Sequence, residues 1–362
     1  MNKIYLCGIL AMAAVASTSC SNEETRVNEP KSDAIEFGTY LGRDAESRAS
    51  VFTIDNMNTE GFAVFASYTE DSDFSDQAIM NFMYNQKVTH DGSAWTYAPL
   101  KYWPNNPGDK VSFFAYAPYI ENVAVPIANK AKVTFTVQDA VADQKDLVVA
   151  EALKNLTKQA ITGNVNFTFQ HVLARVGLNV EAMFDLVNSD VTGATDHNTG
   201  NGSKATGTNI KVTKVELIGK FDKEGVIDLT DSSWSGVAAA GEDVIYTWQA
   251  ANFVSSVADN VTTTKQQLND AAHYAMIIPQ SVEGMKVRVT YTVTTTDASL
   301  NGGNSAITNV ITSDPFDFDF AKGNAYMFNL HLGMTSVKFD ATVSNWNIVG
   351  SETVVNLPIN FN

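Results

Sequence analysis

The residues able to catalyse or to bind a metal are few and scattered. Five histidines, His90, His171, His197, His273 and His331, stand singly, with no pair four residues apart and no His-Glu-x-x-His run. A zinc helix of the hydrolase kind is therefore not written in this chain. No Gly-x-Ser-x-Gly turn is present to strain and expose a nucleophile. Asp314, Asp317 and Asp319 in Asp314-Pro315-Phe316-Asp317-Phe318-Asp319-Phe320 suggest an oxygen-ligand loop. Such a loop needs a turn glycine and a terminal Glu, whereas Phe alternating with Asp is the pattern of a half-buried strand. A glycosidase needs two carboxylates about 5 to 10 Å apart in space, and no pair stands out among 40 acidic residues. Trp95, Tyr97, Tyr102 and Trp103 have the chemistry of a sugar-stacking platform, and equally that of plugs at the edge of a sandwich. The reading is a protein without catalytic site, metal or cofactor.

The charge narrows the partners. Lys and Arg number 24 against 40 Asp and Glu, a net −16 over 362 residues. Phosphate backbones are held by basic residues, so nucleic acid is excluded as a partner. Hydrophobic residues make up 44% and charged ones 18%, too apolar for a disordered acidic chain and enough for one or two large cores.

The N-terminus carries an address. Lys3 precedes the apolar run Ile4 to Ala16, and Ser17, Thr18 and Ser19 lead to Cys20. Basic, apolar and small in that order is a secretory signal, and the run is too short to span a bilayer. A cysteine at the end of such a signal is a lipid attachment site, which makes residues 1–19 a lipoprotein signal peptide and Cys20 the anchor. An ordinary signal peptidase cutting near the small residues is the other reading. Residues 20–33 are polar and acidic and read as a flexible tether. The chain has only two cysteines, Cys7 and Cys20, so no disulfide is expected in the fold.

From Ala34 onward, apolar residues recur with period two. Ile35, Phe37, Thr39 and Leu41 share one face of a strand, and Val51-Phe52-Thr53-Ile54 resumes alternation. Further strands are predicted at 61–68, 110–116, 133–137, 165–169, 174–180, 209–218, 285–293 and 325–332, with short helices possible at 146–156 and 167–173. A polar, glycine-containing stretch near 157–164 divides two strand series, and 189–208 reads as an exposed insertion. The class is all-β, built as stacked sandwiches.

The order of these segments resembles a known family. Ile35-Glu36-Phe37-Gly38-Thr39, Phe62-Ala63-Val64-Phe65-Ala66, Trp95-Thr96-Tyr97-Ala98-Pro99-Leu100-Lys101-Tyr102-Trp103-Pro104, Val111-Ser112-Phe113-Phe114-Ala115-Tyr116-Ala117-Pro118, Asp146-Leu147-Val148-Val149-Ala150 and Val165-Asn166-Phe167-Thr168-Phe169-Gln170-His171 are similar to the fimbrillins of Bacteroidales, the Mfa-like subunits and accessory lipoproteins of type V pili. The resemblance implies two tandem transthyretin-like β-sandwich domains, at 49–160 and 161–362, preceded by a removable first strand and cleavage segment at 34–48. It also implies a lipidated precursor at the outer membrane surface, cut by an arginine-specific protease. Arg48 and Ala49 flank the expected cut; Arg43 is a second possible site, and a solvated turn is the alternative role for Arg48. Loss of the strand holding Ile35, Phe37, Thr39 and Leu41 would open a groove that a strand from another subunit fills. Val354, Val355, Leu357 and Ile359 in the C-terminal tail suit donation, and equally the last strand of the second domain; Pro358 favours an edge. Implied partners are other fimbrillin subunits, the outer membrane through the lipid, the protease, and host protein or glycan. Two other functions fit the sequence: a non-polymerising surface lipoprotein that binds glycan through the 95–103 cluster or the 189–208 loop, and a β-sandwich glycosidase.

Overall fold

A computed structural model describes residues 33–41, 52–123, 129–183, 207–235, 243–296, 303–345 and 353–359, the last stretch for backbone only. Cys20, Arg43, Arg48, Ala49 and residues 189–206 lie outside the described residues. The chain divides into the units Met1–Asp33 and Ala34–Asn362, and all the described strands belong to the second. In chain order they are β1 (Phe37–Leu41), β2 (Phe62–Tyr68), β3 (Met83–His90), β4 (Trp95–Thr96), β5 (Val111–Ala117), β6 (Lys132–Thr136), β7 (Val148–Ala150), β8 (Leu153–Leu156), β9 (Val165–His171), β10 (Ala174–Ala182), β11 (Gly207–Gly219), β12 (Glu224–Asp228), β13 (Ser233–Ser235), β14 (Val244–Gln249), β15 (Gln266–Gln267), β16 (Ala275–Ile277), β17 (Gln280–Thr296), β18 (Asn304–Thr312), β19 (Phe316–Phe320), β20 (Asn324–Leu332), β21 (Val337–Asn345) and β22 (Thr353–Ile359). The all-β class holds.

The first sheet has the order β1-β9-β7-β5-β2-β3-β4, with β8 also on β5. Its central strands explain why their sequences are apolar almost without interruption. Phe62, Val64 and Ala66 of β2 and Phe113 and Ala115 of β5 enter the core that holds Phe37. Ala63 and Phe65 of β2 and Phe114 and Tyr116 of β5 point the other way, into a second core shared with Leu178, Val289 and Leu330. A sheet covered on both faces needs apolar residues on both. β9, which follows residue 160, is built into this sheet beside β1 and β7. β6 pairs with β12 in a small sheet of its own with β13.

Two larger sheets complete the unit, β15-β10-β20-β21-β22 and β14-β11-β17-β18. β10 and β20 run parallel, with Gly177 opposite Met327. A Cβ at Gly177 would lie 2.6 Å from the Tyr274 ring and 2.7 Å from Met327 Sδ, so only glycine lets that ring lie on the sheet. Within the other sheet Glu216 of β11 faces Arg288 of β17 directly. Arg288 donates through Nε at 2.6 Å and through a terminal nitrogen at 2.9 Å, a fork onto a buried carboxylate. Those bonds, with further help from Lys214, hold the Glu216 carboxyl below its ordinary range against the opposing effect of burial. A depressed acid contributes stability above its unfolded pKa of about 4.3 and loses it as pH falls through the lower folded value. Arg288→Met should therefore cost about 2 kcal/mol at neutral pH. The gap between wild type and variant should close below about pH 4, which urea titrations at several pH values would measure.

Two local expectations change and one holds. Residues 54–60 form an α-helix, α1 (Ile54–Glu60), and do not continue a strand. Thr53 caps it: its hydroxyl accepts from Asn56 N–H at 3.3 Å, and Asn56 Oδ1 accepts from Thr53 N–H at 3.0 Å. Gly61, at φ +76°, stops it where a Cβ would lie 2.5 Å from the Val88 carbonyl oxygen. The helices allowed at 146–156 and 167–173 are instead β7, β8 and the end of β9, because paired partners on the sheet outweigh weak local preference. The Asp-Phe alternation of 316–320 is strand β19, with Phe318 and Phe320 buried and Asp317 and Asp319 exposed.

Candidate strand-exchange site

β1 is the edge strand of the first sheet and runs parallel to β9, with Phe37 opposite Val165 and Leu41 opposite Phe169. An edge strand of five residues has few ladder bonds, so its side chains decide how firmly it is held. Ile35, just ahead of it, is 0% exposed and Phe37 is 2% exposed. Phe37 sits in a cup of rings, with centroids 5.2 Å from Tyr97, 5.6 Å from Phe167, 6.1 Å from Phe113 and 6.2 Å from Phe62. Leu41 is half-buried against the same core, and Thr39 is half-buried beside it. Burying each of the two large side chains stabilises the unit by about 1.5–3 kcal/mol.

The main chain at the head of β1 is clamped. Ile35 N–H donates to the Lys101 carbonyl at 2.9 Å, and the Tyr97 hydroxyl donates to the Ile35 carbonyl at 2.8 Å. Burial pushes the Tyr97 hydroxyl pKa up, so it keeps the proton it donates. Val165 N–H reaches the Glu36 carbonyl at 2.8 Å, and the Asn164 amide reaches the Phe37 carbonyl at 3.1 Å. At Gly38 a Cβ would fall 2.1 Å from Asn166 Oδ1, so the strand approaches β9 side chains that close only without one.

The chain that resumes after β1 is tied separately. Asp146 and His171 are both buried, and Asp146 Oδ2 lies 2.7 Å from His171 Nδ1. The same oxygen accepts Phe52 N–H at 3.1 Å, while Oδ1 accepts Leu147 N–H at 2.8 Å. One carboxylate thus joins the start of α1's segment to β7 and β9. Two other described histidines serve strands and turns: His331 bridges Glu181 and Asp340 across β10, β20 and β21, and His273 pairs with Asp270.

The structure brings Ile35, Phe37, Thr39 and Leu41 together with β9. It places Val354, Val355, Leu357 and Ile359 elsewhere, on β22, which pairs antiparallel with β21. Of the aromatic cluster, Tyr97 and Trp103 are interior to the β1 core and only Tyr102, 55% exposed, faces solvent fully. Trp95 packs at 4.8 Å on Phe62. The cluster therefore does not form one continuous platform. Composition and period do not reveal the clamp made by the Tyr97 hydroxyl or the ties made by the Asp146 carboxylate. A tyrosine between strand and proline was the available sign for the first; nothing local marks the second.

The fimbrillin-like family model matches residues 47–346. The chain belongs to the fimbrillin-like family. Among curated proteins, the Fimbrium subunit Fim1C of Phocaeicola vulgatus is 25% identical over 374 residues, covering 91% of this chain and 93% of that one. Among solved structures, a fimbrial protein from Bacteroides vulgatus aligns with a TM-score of 0.64 at 20% identity, over 86% of this chain and 99% of that chain. This fimbrillin-like chain shares that fold, and its family is one of structural fimbrial subunits and not of enzymes.

Proposed function

We propose that this protein is a structural subunit of cell-surface fimbriae that assembles by strand exchange. It reaches the outer membrane as a precursor anchored through Cys20. An arginine-specific protease cuts between Arg48 and Ala49, β1 leaves, and the C-terminal tail of another copy takes its place. The organisation into two tandem sandwich domains belongs to the same reading. The observation that carries it is the edge position of β1 combined with the near-complete burial of Ile35 and Phe37. Removing that strand uncovers both an open ladder edge on β9 and an apolar cup, and one incoming strand restores both.

Arg48→Ala should stop polymer growth in cells while leaving the precursor folded and anchored. Electron microscopy of the cell surface, with immunoblotting for the uncut chain, checks this. Polymers of normal abundance from the variant would remove Arg48 from the scheme and direct attention to Arg43.

A further inference from the structure

The cup vacated by β1 selects for a particular pair of side chains in a particular order. Ile35 lies in the clamp formed by Lys101 and Tyr97, and two residues later Phe37 enters the ring of Tyr97, Phe167, Phe113 and Phe62. The sequence Ile35-Glu36-Phe37 has a counterpart in the tail, Ile359-Asn360-Phe361. Resting on the strand-exchange reading, we infer that this triplet is an internal mimic of the first strand, entering the groove of another copy with Ile359 in the place of Ile35 and Phe361 in the place of Phe37. The order of the two apolar residues then gives the direction: the tail runs parallel to β9, as β1 does.

The main chain supports this register. Ile359 offers its N–H to Lys101 and its carbonyl to the Tyr97 hydroxyl, as Ile35 does. A parallel strand is favoured because there the clamp meets both polar groups of one inward-facing residue. In an antiparallel strand those groups would belong to the outward-facing neighbours, about 3.3 Å away along the chain. Asn360 supplies the carbonyl that Val165 N–H takes from Glu36. Pro358 falls at the place of Ala34, ahead of the ladder that begins with Phe37 and Val165, so its missing N–H breaks none of that ladder's bonds. Asn362 falls at Gly38, where its Cβ requires the Asn166 amide to turn aside. In the isolated chain the tail is held on β21 by a broken ladder: Val355 pairs with Ala341 and Ile359 with Phe339, so three tail residues span a single β21 position. Such a segment is easily released.

The test uses the full-length chain treated with trypsin, which removes both native cysteines with residues 1–48. Chains carrying N166C are mixed with chains carrying N362C or N360C and oxidised. Linked dimers from N166C with N362C are expected; the N360C chain reports the register shifted by two, with Leu357 in the clamp. In parallel, a synthetic peptide of residues 353–362 should block polymer growth, and its Phe361→Ala version should require about a hundredfold more. Linkage through N360C in place of N362C, or a Phe361→Ala peptide as potent as the parent, would overturn the register while leaving strand exchange intact. Wild-type chains that are cut but never polymerise would overturn the strand-exchange reading and this one with it.

Discussion

Phe37→Ala should lower the stability of the Ala34–Asn362 unit by about 3–5 kcal/mol, seen as a lower urea midpoint with an unchanged slope. The ring is 2% exposed and touches four other aromatic rings, so truncation leaves a cavity between surfaces that cannot collapse. β1 is held by a short ladder along one strand, β9, and by the clamp on Ile35. Losing the ring therefore weakens the strand more than it weakens the sheet. Hydrogen exchange should rise first at residues 37–41 and at the facing amides of β9. A loss below about 1 kcal/mol would mean that Phe37 is not the residue that seats the strand.

Asp146→Ala should cost about 3 kcal/mol, for a different reason. Its carboxylate accepts from Phe52 N–H, Leu147 N–H and His171 Nδ1 inside the protein, and alanine deprives all three of that acceptor at once. Buried donors that lose a partner are more expensive than the bond itself was worth. Asp146→Asn, which keeps an acceptor oxygen, should lose less. In the proposed assembly the site would matter because it fixes Phe52, the first described residue after the proposed cut, to β7 and β9. In the proposed scheme, with Asp146 intact, cleavage would free β1 and leave α1 in place. In the alanine variant, exchange at 52–60 should rise together with that of β1; unchanged protection there would show that α1 is held by packing alone.

The sequence revealed much of the architecture where side-chain burial follows a simple period. β9 and the stretch of β17 from Met285 to Val293 alternate cleanly, and the Phe-Asp alternation of β19 is plain. Other features depend on partners distant in the chain. That β1 pairs in parallel with a strand some 130 residues later has no local trace, and neither does the choice of strand over helix at β7. α1 carries little sequence signal because it is seven residues long, mostly polar, and capped by Thr53 with Asn56 in the position where Glu or Gln is the usual sign. At the site, the apolar faces of β1 were readable and the Tyr97 hydroxyl and Asp146 were not, since one tyrosine or aspartate among many acquires its meaning from the backbone group it meets. The Ile-x-Phe triplet of the tail is visible in the sequence, but it has a use only once Ile35 and Phe37 are seen to fill one cup.

Strand exchange itself is tested most directly by the masses of subunits recovered from purified polymer, grown from full-length chain after trypsin treatment. The subunits are expected to begin at Ala49, to have lost residues 35–41 and to retain the tail through Phe361. Polymer built from subunits that still contain Ile35 and Phe37 would contradict it.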